Sequence, residues 1–408
     1  MINNEMNTRI QQYIDYLLAN SSAEAPVWNL EKIRSGSPNK WNYIDGCMIS
    51  AILNLYDFTG EQRYLDFADA FVYWFIQEDG QIRTYDPEEK NLDNVNTASN
   101  LFTLYRLTGK EKYRRAIDTV RHQLDIMPRT NEGNFWHKDI YPYQVWLDGL
   151  YMAQPFYMRY ETLYNKMRGC EDSFRQFVNV ERIMRDPKTG LYFHAYDESR
   201  SMFWADKETG LSANFWLRAI GWFICALVET AEAIDESLYY EYRYLQKILK
   251  DLAESLLKVQ DESGMFWQVV NRPDLSCSEN GLCSARDSFC EDHTFAAGEV
   301  KGNYLETSGT ALIAYALLKA VRLQYLPERF AAAGEKAFNG IAQSYLIENP
   351  DGTLGLGGIC LVGGLGGKDH RDGSVSYYFN EPVVQNEAKG TAPFILAYTE
   401  LLRRSGEK

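Results

Sequence analysis

The densest chemistry in this chain lies in residues 133–156, GNFWHKDIYPYQVWLDGLYMAQPF. Two Trp, three Tyr and two Phe surround His137, Lys138, Asp139 and Asp148. Flat aromatic faces stack on sugar rings. A carboxylate set among aromatics is poorly solvated, which raises its pKa and makes it a usable proton donor near neutral pH. Asp139 and Asp148 are the carboxylates in this setting. The plainer reading of the same residues is an aromatic-rich helix start with a structural Asp cap.

Further candidates stand apart in the chain. His137 and His194 are two of only five His, and each follows a turn glycine by four residues. Their expected work is hydrogen bonding to sugar or water. No His-x3-His pair or carboxylate cage has metal-ligand spacing, so neither metal nor cofactor is expected. FWLRAIGWF (215–223) puts Trp216, Arg218 and Trp222 near a helix start. Arg218 and Trp222 are i, i+4 and share a face. Trp222 is expected to stack on a sugar ring and Arg218 to meet a carboxylate or hydroxyl. The alternative is core Trp with an Arg paired to an acidic neighbour. Asp93, in NLDNVN (91–96), opens an apparent helix and reads locally as an N-cap.

These residues need elements to hold them. LYDFTGEQRYLDFA (55–68) aligns with LYRLTGKEKYRRAI (104–117) at an offset of 49 residues, Leu55 to Leu104. Each copy reads as a helix end, a Thr-Gly break and a new amphipathic helix, a unit that cannot bury its apolar face alone. A second recurrence is a turn followed by a short extended run: EDGQIRT (78–84), NEGNFWH (131–137), KTGLYFH (188–194), ESGMFWQ (262–268) and PDGTLGL (350–356). Strand residues alternate sides, so the Gly+4 residues Thr84, His137, His194, Gln268 and Leu356 are expected to converge if these ribbons ring one mouth. Amphipathic helical segments fill 6–20, 61–76, 95–107, 111–126, 213–235, 240–259, 307–323, 328–346 and 390–403. The fold class is all-α: a ring of antiparallel helical hairpins with short β ribbons at one end. It is read as one domain over 1–408 with a loop insertion at about 274–300.

That insertion is polar and turn-rich, and a surface lid near the mouth is the expectation. Cys277, Cys283, Cys290 and His293 within it give Cys-x5-Cys-x6-Cys-x2-His, looser than the usual zinc pairs. The net charge of −14, without a basic stripe, argues against nucleic acid. An acidic sugar would need local positive charge, and Lys138 and Arg218 supply it. No run approaches a membrane span, and the N-terminus lacks a secretory pattern. With seven Cys, an odd number, a reducing cytoplasm is expected. The oligomeric state stays open.

WHKDIYPYQVWLDGLYM resembles the unsaturated rhamnogalacturonyl hydrolases, glycoside hydrolase family 105, whose relatives are the unsaturated glucuronyl hydrolases. The resemblance continues through LYFHAYDES (191–199), FWLRAIGWF, GNYLETSG (302–309) and KGTAPFILAYTELL (389–402), from about Trp41 to Leu402. It implies an (α/α)6 barrel. It implies Asp148 as general acid/base, Asp93 as a second active-site Asp, and His137, His194 and Tyr43 of WNYIDG (41–46) as site residues. Asp93 would keep Asp148 protonated by like-charge proximity and bond sugar hydroxyls. Asp45 departs from the family pattern, and its charge is expected to alter a subsite. The implied partner is a small oligosaccharide ending in a 4,5-unsaturated uronic acid, a lyase product. Protonation at C4 of its enol ether puts positive charge at C5. Water adds there, and the hemiketal opens to release the remaining sugar. One carboxylate that first donates and then accepts a proton suffices, unlike the two flanking carboxylates of ordinary glycosidases. EPVVQNEAKGTAPFILA (381–397) fits one branch of the family, which leaves the leaving sugar, rhamnose or another, open. An epimerase using a His pair, an inverting endo-glycosidase and a non-catalytic sugar-binding protein are the competing readings.

Overall fold

Turn chemistry sets the ribbons. In the computed structural model, which describes residues 3–277, 281–282 and 302–406, Gly80, Gly133, Gly190, Gly264 and Gly352 have φ of 88°, 98°, 76°, 92° and 83°. Side chains resist that left-handed region, so glycine marks each turn. Antiparallel pairs close around the turns, Ile76 with Ile82, Arg129 with Phe135 and Arg185 with Tyr192. The Gly+2 residues Ile82, Phe135, Tyr192 and Phe266 are buried and pin each ribbon to the core.

Helices alternate with these ribbons. The first third of the chain holds α1 (Asn4–Ala19), α2 (Leu30–Ser35), α3 (Tyr43–Thr59), α4 (Gln62–Phe75), α5 (Asp93–Asn96), α6 (Ser99–Thr108) and α7 (Glu111–Ile126). Next come β1 (Gln144–Trp146), α8 (Leu147–Tyr164), α9 (Cys170–Met184), β2 (Ala195–Asp197), α10 (Leu217–Ala233) and α11 (Tyr239–Leu257). After them follow α12 (Thr307–Arg322), α13 (Arg329–Tyr345), β3 (Leu346–Glu348), β4 (Leu354–Leu356), β5 (Ile359–Cys360), α14 (Val375–Asn380), β6 (Val383–Val384) and α15 (Ala388–Ser405). The Thr-Gly repeat ends α3 and α6 alike. Thr59 and Thr108 donate back to the Leu55 and Leu104 carbonyls, and Gly60 and Gly109 take left-handed caps. The segment 95–107 is not one helix: it breaks at Thr97–Ala98, where Thr97 Oγ1 donates to the Asn42 carbonyl at 2.6 Å.

The inner ring runs α3, α5 with α6, α8, α10, α12 and α15, and α15 closes on α3. Inner helices are buried nearly all round, as α12 is from Thr307 to Val321. Outside them α4, α7, α9, α11 and α13 each pack on the preceding inner helix. The sixth pair joins the two ends of the chain: Gln11 and Tyr13 of α1 bond Tyr398 and Thr391 of α15. This is the (α/α)6 barrel. Three two-stranded antiparallel ribbons, β1–β2, β3–β4 and β5–β6, decorate it.

The ribbons gather where the inner helices begin. The amides of Leu92, Leu147 and Leu217, at the starts of α5, α8 and α10, donate to the carbonyls of His137, His194 and Gln268 at 3.2, 3.1 and 3.0 Å. The Gly+4 position therefore ties each ribbon to the adjoining helix start. The insertion read at 274–300 lies mostly outside the described residues, as do Cys283, Cys290 and His293. Its edges bond Asn303 and Leu305, beside the fourth ribbon.

Candidate active site

Asp148 is the second residue of α8, and β1 delivers it there without a loop. Trp146 ends the strand, pairs with Ala195, and is the residue before the helix. No side chain caps this helix start. Asp148 Oδ2 lies 3.4 Å from His194 Nε2. The contact is close but not aligned as a hydrogen bond, and neither atom has another partner among the described residues. His194 is fully buried, and its Nδ1 is 2.7 Å from the Tyr378 hydroxyl. Trp146 meets the His194 ring edge-on at 5.4 Å, and Trp216 packs against it at 4.7 Å.

Asp93 occupies the equivalent place at the start of α5. The residue before that helix is Leu92, so the N-cap reading of Asp93 is not what forms. Its carboxylate instead takes Lys138 Nζ at 2.5 Å and sits 3.6 Å from His137 Nε2. Burial pushes the Asp93 pKa up, but the Lys138 charge and the His137 dipole outweigh it and leave it lowered. Burial takes His137 down to about 4. His137 is thus neutral near pH 7, and Lys138 is the charge that keeps Asp93 ionised. Lys138 also offsets the like-charge pressure that Asp93 was expected to put on Asp148. His137, Trp146 and Tyr141 form a parallel aromatic cluster, with centroids 4.6 Å (His137–Trp146) and 5.1 Å (Tyr141–Trp146) apart.

Tyr43 begins α3 and meets the edge of Trp222 at 6.4 Å. Trp222 is 2% exposed and stacks on Tyr151 at 4.7 Å, so it backs Tyr43 from the core and is no open platform for a sugar. Arg218 turns inward. Its Nε donates to Ser308 at 2.7 Å, a terminal nitrogen donates to the Cys360 carbonyl, and Glu306 is 3.8 Å away. The acidic-neighbour reading of Arg218 is the one this geometry matches. Asp45 is also no subsite residue. It is buried and accepts from Trp28, Asn39 and Asn42, bracing the start of α3.

Two features had no signal in the sequence. Tyr378 is 184 residues from His194 in the chain. The glycine-rich segment 363–373 lies directly on the aromatic walls: a methyl at Gly363 would strike the Trp216 ring at 2.3 Å, and one at Gly364 would sit 3.5 Å from Trp146 and 3.2 Å from an Arg371 nitrogen. Arg371 is 28% exposed and pairs only loosely with Asp369, at 3.2 Å and 74% exposed.

Residues 18–286 and 293–405 match the model of Glycosyl Hydrolase Family 88. The chain is 39% identical to a family 105 glycoside hydrolase from C. acetobutylicum ATCC 824, with a TM-score of 0.82 over 98% of this chain and 99% of that one. It is 26% identical over 300 residues to the unsaturated rhamnogalacturonyl hydrolase YesR of Bacillus subtilis strain 168, covering 72% of this chain and 75% of YesR. The unsaturated glucuronyl hydrolase of Bacillus sp. GL1 shares the fold at 14% identity, with a TM-score of 0.63 over 97% of each chain. With the barrel and its mouth in view, the chain belongs to glycoside hydrolase family 105, within the wider family 88 and 105 group that includes the unsaturated glucuronyl hydrolases.

Proposed function

We propose that this enzyme hydrates the C4=C5 double bond of a 4,5-unsaturated uronic acid at the non-reducing end of a small oligosaccharide, releasing a deoxy-keto uronate and the remaining sugar. The observation that carries this reading is the unequal state of the two carboxylates. Asp93 is held ionised by Lys138 and has no proton to give. Asp148 keeps an unpartnered oxygen beside His194. One free carboxyl suits hydration, in which the same group protonates C4 and then takes the proton of the attacking water. A two-carboxylate displacement needs a second group free to act as base or nucleophile.

In this reading Asp93 and His137 bond ring hydroxyls, Tyr43 and Trp146 wall the site, Trp216 is buried like Trp222 and backs His194, and Arg371 meets the uronate carboxylate. The likeness to YesR favours an unsaturated galacturonyl–rhamnose substrate; an unsaturated glucuronyl disaccharide is the alternative. The whole chain acts as one catalytic unit. The described cysteines are unbridged and four of the five are buried, which supports a reducing compartment, the cytoplasm.

The test is incubation with lyase-generated unsaturated disaccharides while following the ultraviolet absorbance of the double bond. Hydration abolishes it; epimerisation, ordinary hydrolysis and binding leave it. In heavy water the early product carries non-exchangeable deuterium at C4. Product without that label would sink the mechanism.

A further inference from the structure

Tyr378 is buried, and a buried phenol must give its proton to an acceptor. Among the described residues its hydroxyl has one hydrogen-bond partner, His194 Nδ1 at 2.7 Å. The ring of Tyr378 is also clamped, stacked on Trp216 at 5.9 Å and packed against Tyr377 at 5.0 Å. The hydroxyl is therefore aimed at Nδ1 by packing and not by chance.

We infer that Tyr378 is a positioning residue that sets the tautomer of His194. With its O–H donated to Nδ1, a neutral imidazole must carry its own proton on Nε2. Nε2 lies 3.4 Å from Asp148 Oδ2, close but not aligned as a hydrogen bond until one of the two groups shifts. Oδ2 is thereby reserved as an acceptor, and the proton that moves rides on Oδ1. When Oδ1 gives its proton to C4, the O–H bond breaks and a C–H bond forms. The carboxylate left behind is stabilised by the same Nε2–H, whose bond to it tightens. Water then adds at C5 and returns a proton to Oδ1. His194 neither gains nor loses a proton in the cycle. The opposite tautomer would face Asp148 with a lone pair and destabilise that carboxylate.

Besides His194 and Tyr377, the titratable groups that act on Tyr378 include Asp148, Cys360, Asp372 and Glu381. Burial and these neighbours hold the phenol well above its ordinary pKa, so it remains a donor at working pH. The inference rests on the hydration reading for its catalytic consequence but not for the tautomer itself.

Two measurements separate these. Nitrogen NMR of protein labelled at its five His assigns the His194 tautomer directly. The Nε2–H form is expected in the unmodified protein and a mixture in Tyr378→Phe; an Nδ1–H form in the unmodified protein overturns the inference whether or not the enzyme is active. For turnover, Tyr378→Phe is expected to lower kcat by about 10–100-fold, by analogy with groups that orient a metal-bound His, with KM nearly unchanged. In His194→Gln, whose amide still donates toward Asp148, the same Tyr378→Phe change should cost little more. Full kcat in Tyr378→Phe, or an equal loss on the His194→Gln background, leaves Tyr378 as packing only. No double-bond loss by unmodified enzyme would sink the hydration reading and leave the NMR result standing.

Discussion

The two ends of the barrel differ in kind. A cavity of about 210 Å³ runs inside the barrel from Gly46, Asn96 and Tyr151 to the far end, where the inner helices finish and Glu229, Lys319 and Arg403 line it. Its charges are largely matched: Lys319 takes Glu229 and Glu232 at 2.8 and 2.7 Å, Arg322 grips Glu400 with two bonds, and Arg403 holds Asp57. Helix C-termini favour such cations. At the ribbon end, where the inner helices begin, His137 Nδ1, Asp148 Oδ2, His194 Nε2 and Trp216 Nε1 have no hydrogen-bond partner among the described residues, against Arg403 Nε alone among the cavity-lining charges named above. A buried polar group left unsatisfied costs about 1–3 kcal/mol. Room alone does not make a site; unmet hydrogen-bonding capacity next to acid/base groups does.

The sharpest break of this comparison is at Asp148. Asp148→Asn should bind substrate and fold normally yet lose turnover by about two to four powers of ten, because the amide cannot shuttle a proton. Near-normal steady-state rates would remove Asp148 from the mechanism. At the far end, Lys319→Met strands two carboxylates and should cost about 3–5 kcal/mol in stability, read by denaturant unfolding. Its kcat/KM at a permissive temperature should match the unmodified enzyme; a kinetic loss beyond the folded fraction would make the far cavity functional.

His137 offers a pH test of the ribbon end. Its folded pKa of about 4 lies below the ordinary His value near 6.5. Between those values the unfolded chain binds a proton that the native state refuses, so stability is full above pH ~6.5 and falls by ~3 kcal/mol as pH drops toward 4. His137→Gln should flatten that part of the melting-temperature profile, and an unchanged slope would mean His137 is not buried neutral. A smaller effect is expected from Arg371→Ala: a rise in KM of about tenfold, or 1.4 kcal/mol, on the free uronate and none on its methyl ester. Equal KM shifts on both would take the carboxylate away from Arg371. The smallest effect is zero. Chelation should leave activity intact, and loss restored by a divalent ion would overturn the metal-free mechanism.

Much of the ribbon end was legible because it rests on local rules. Turn glycines announce the ribbons, Gly+4 spacing brings His137 to Asp93 and His194 to Asp148, and the aromatic run around Asp148 is contiguous. What escaped depends on closure of the ring. Tyr378 reaches His194 only because the last repeat folds back over the third, and no periodic pattern encodes that. The sugar-contact reading of Arg218 fails for the same reason, since Ser308 and Cys360 reach it only on closure. Asp45 was read from its departure from the family pattern, while its nearby partners Trp28, Asn39 and Asn42 bury it.

The pairing of α1 with α15 has a consequence for how the chain is made. Every other outer helix meets its inner partner soon after both are synthesised, but α15 must find both α3 and α1, more than 300 residues earlier. The barrel cannot close until the ribosome has released α15. Before that, the inner faces of α3 and α12 lack a neighbour and expose apolar surface that invites aggregation. Folding speed should therefore be governed by this last seam, and a stalled or truncated chain should be a far better chaperone client than the finished enzyme.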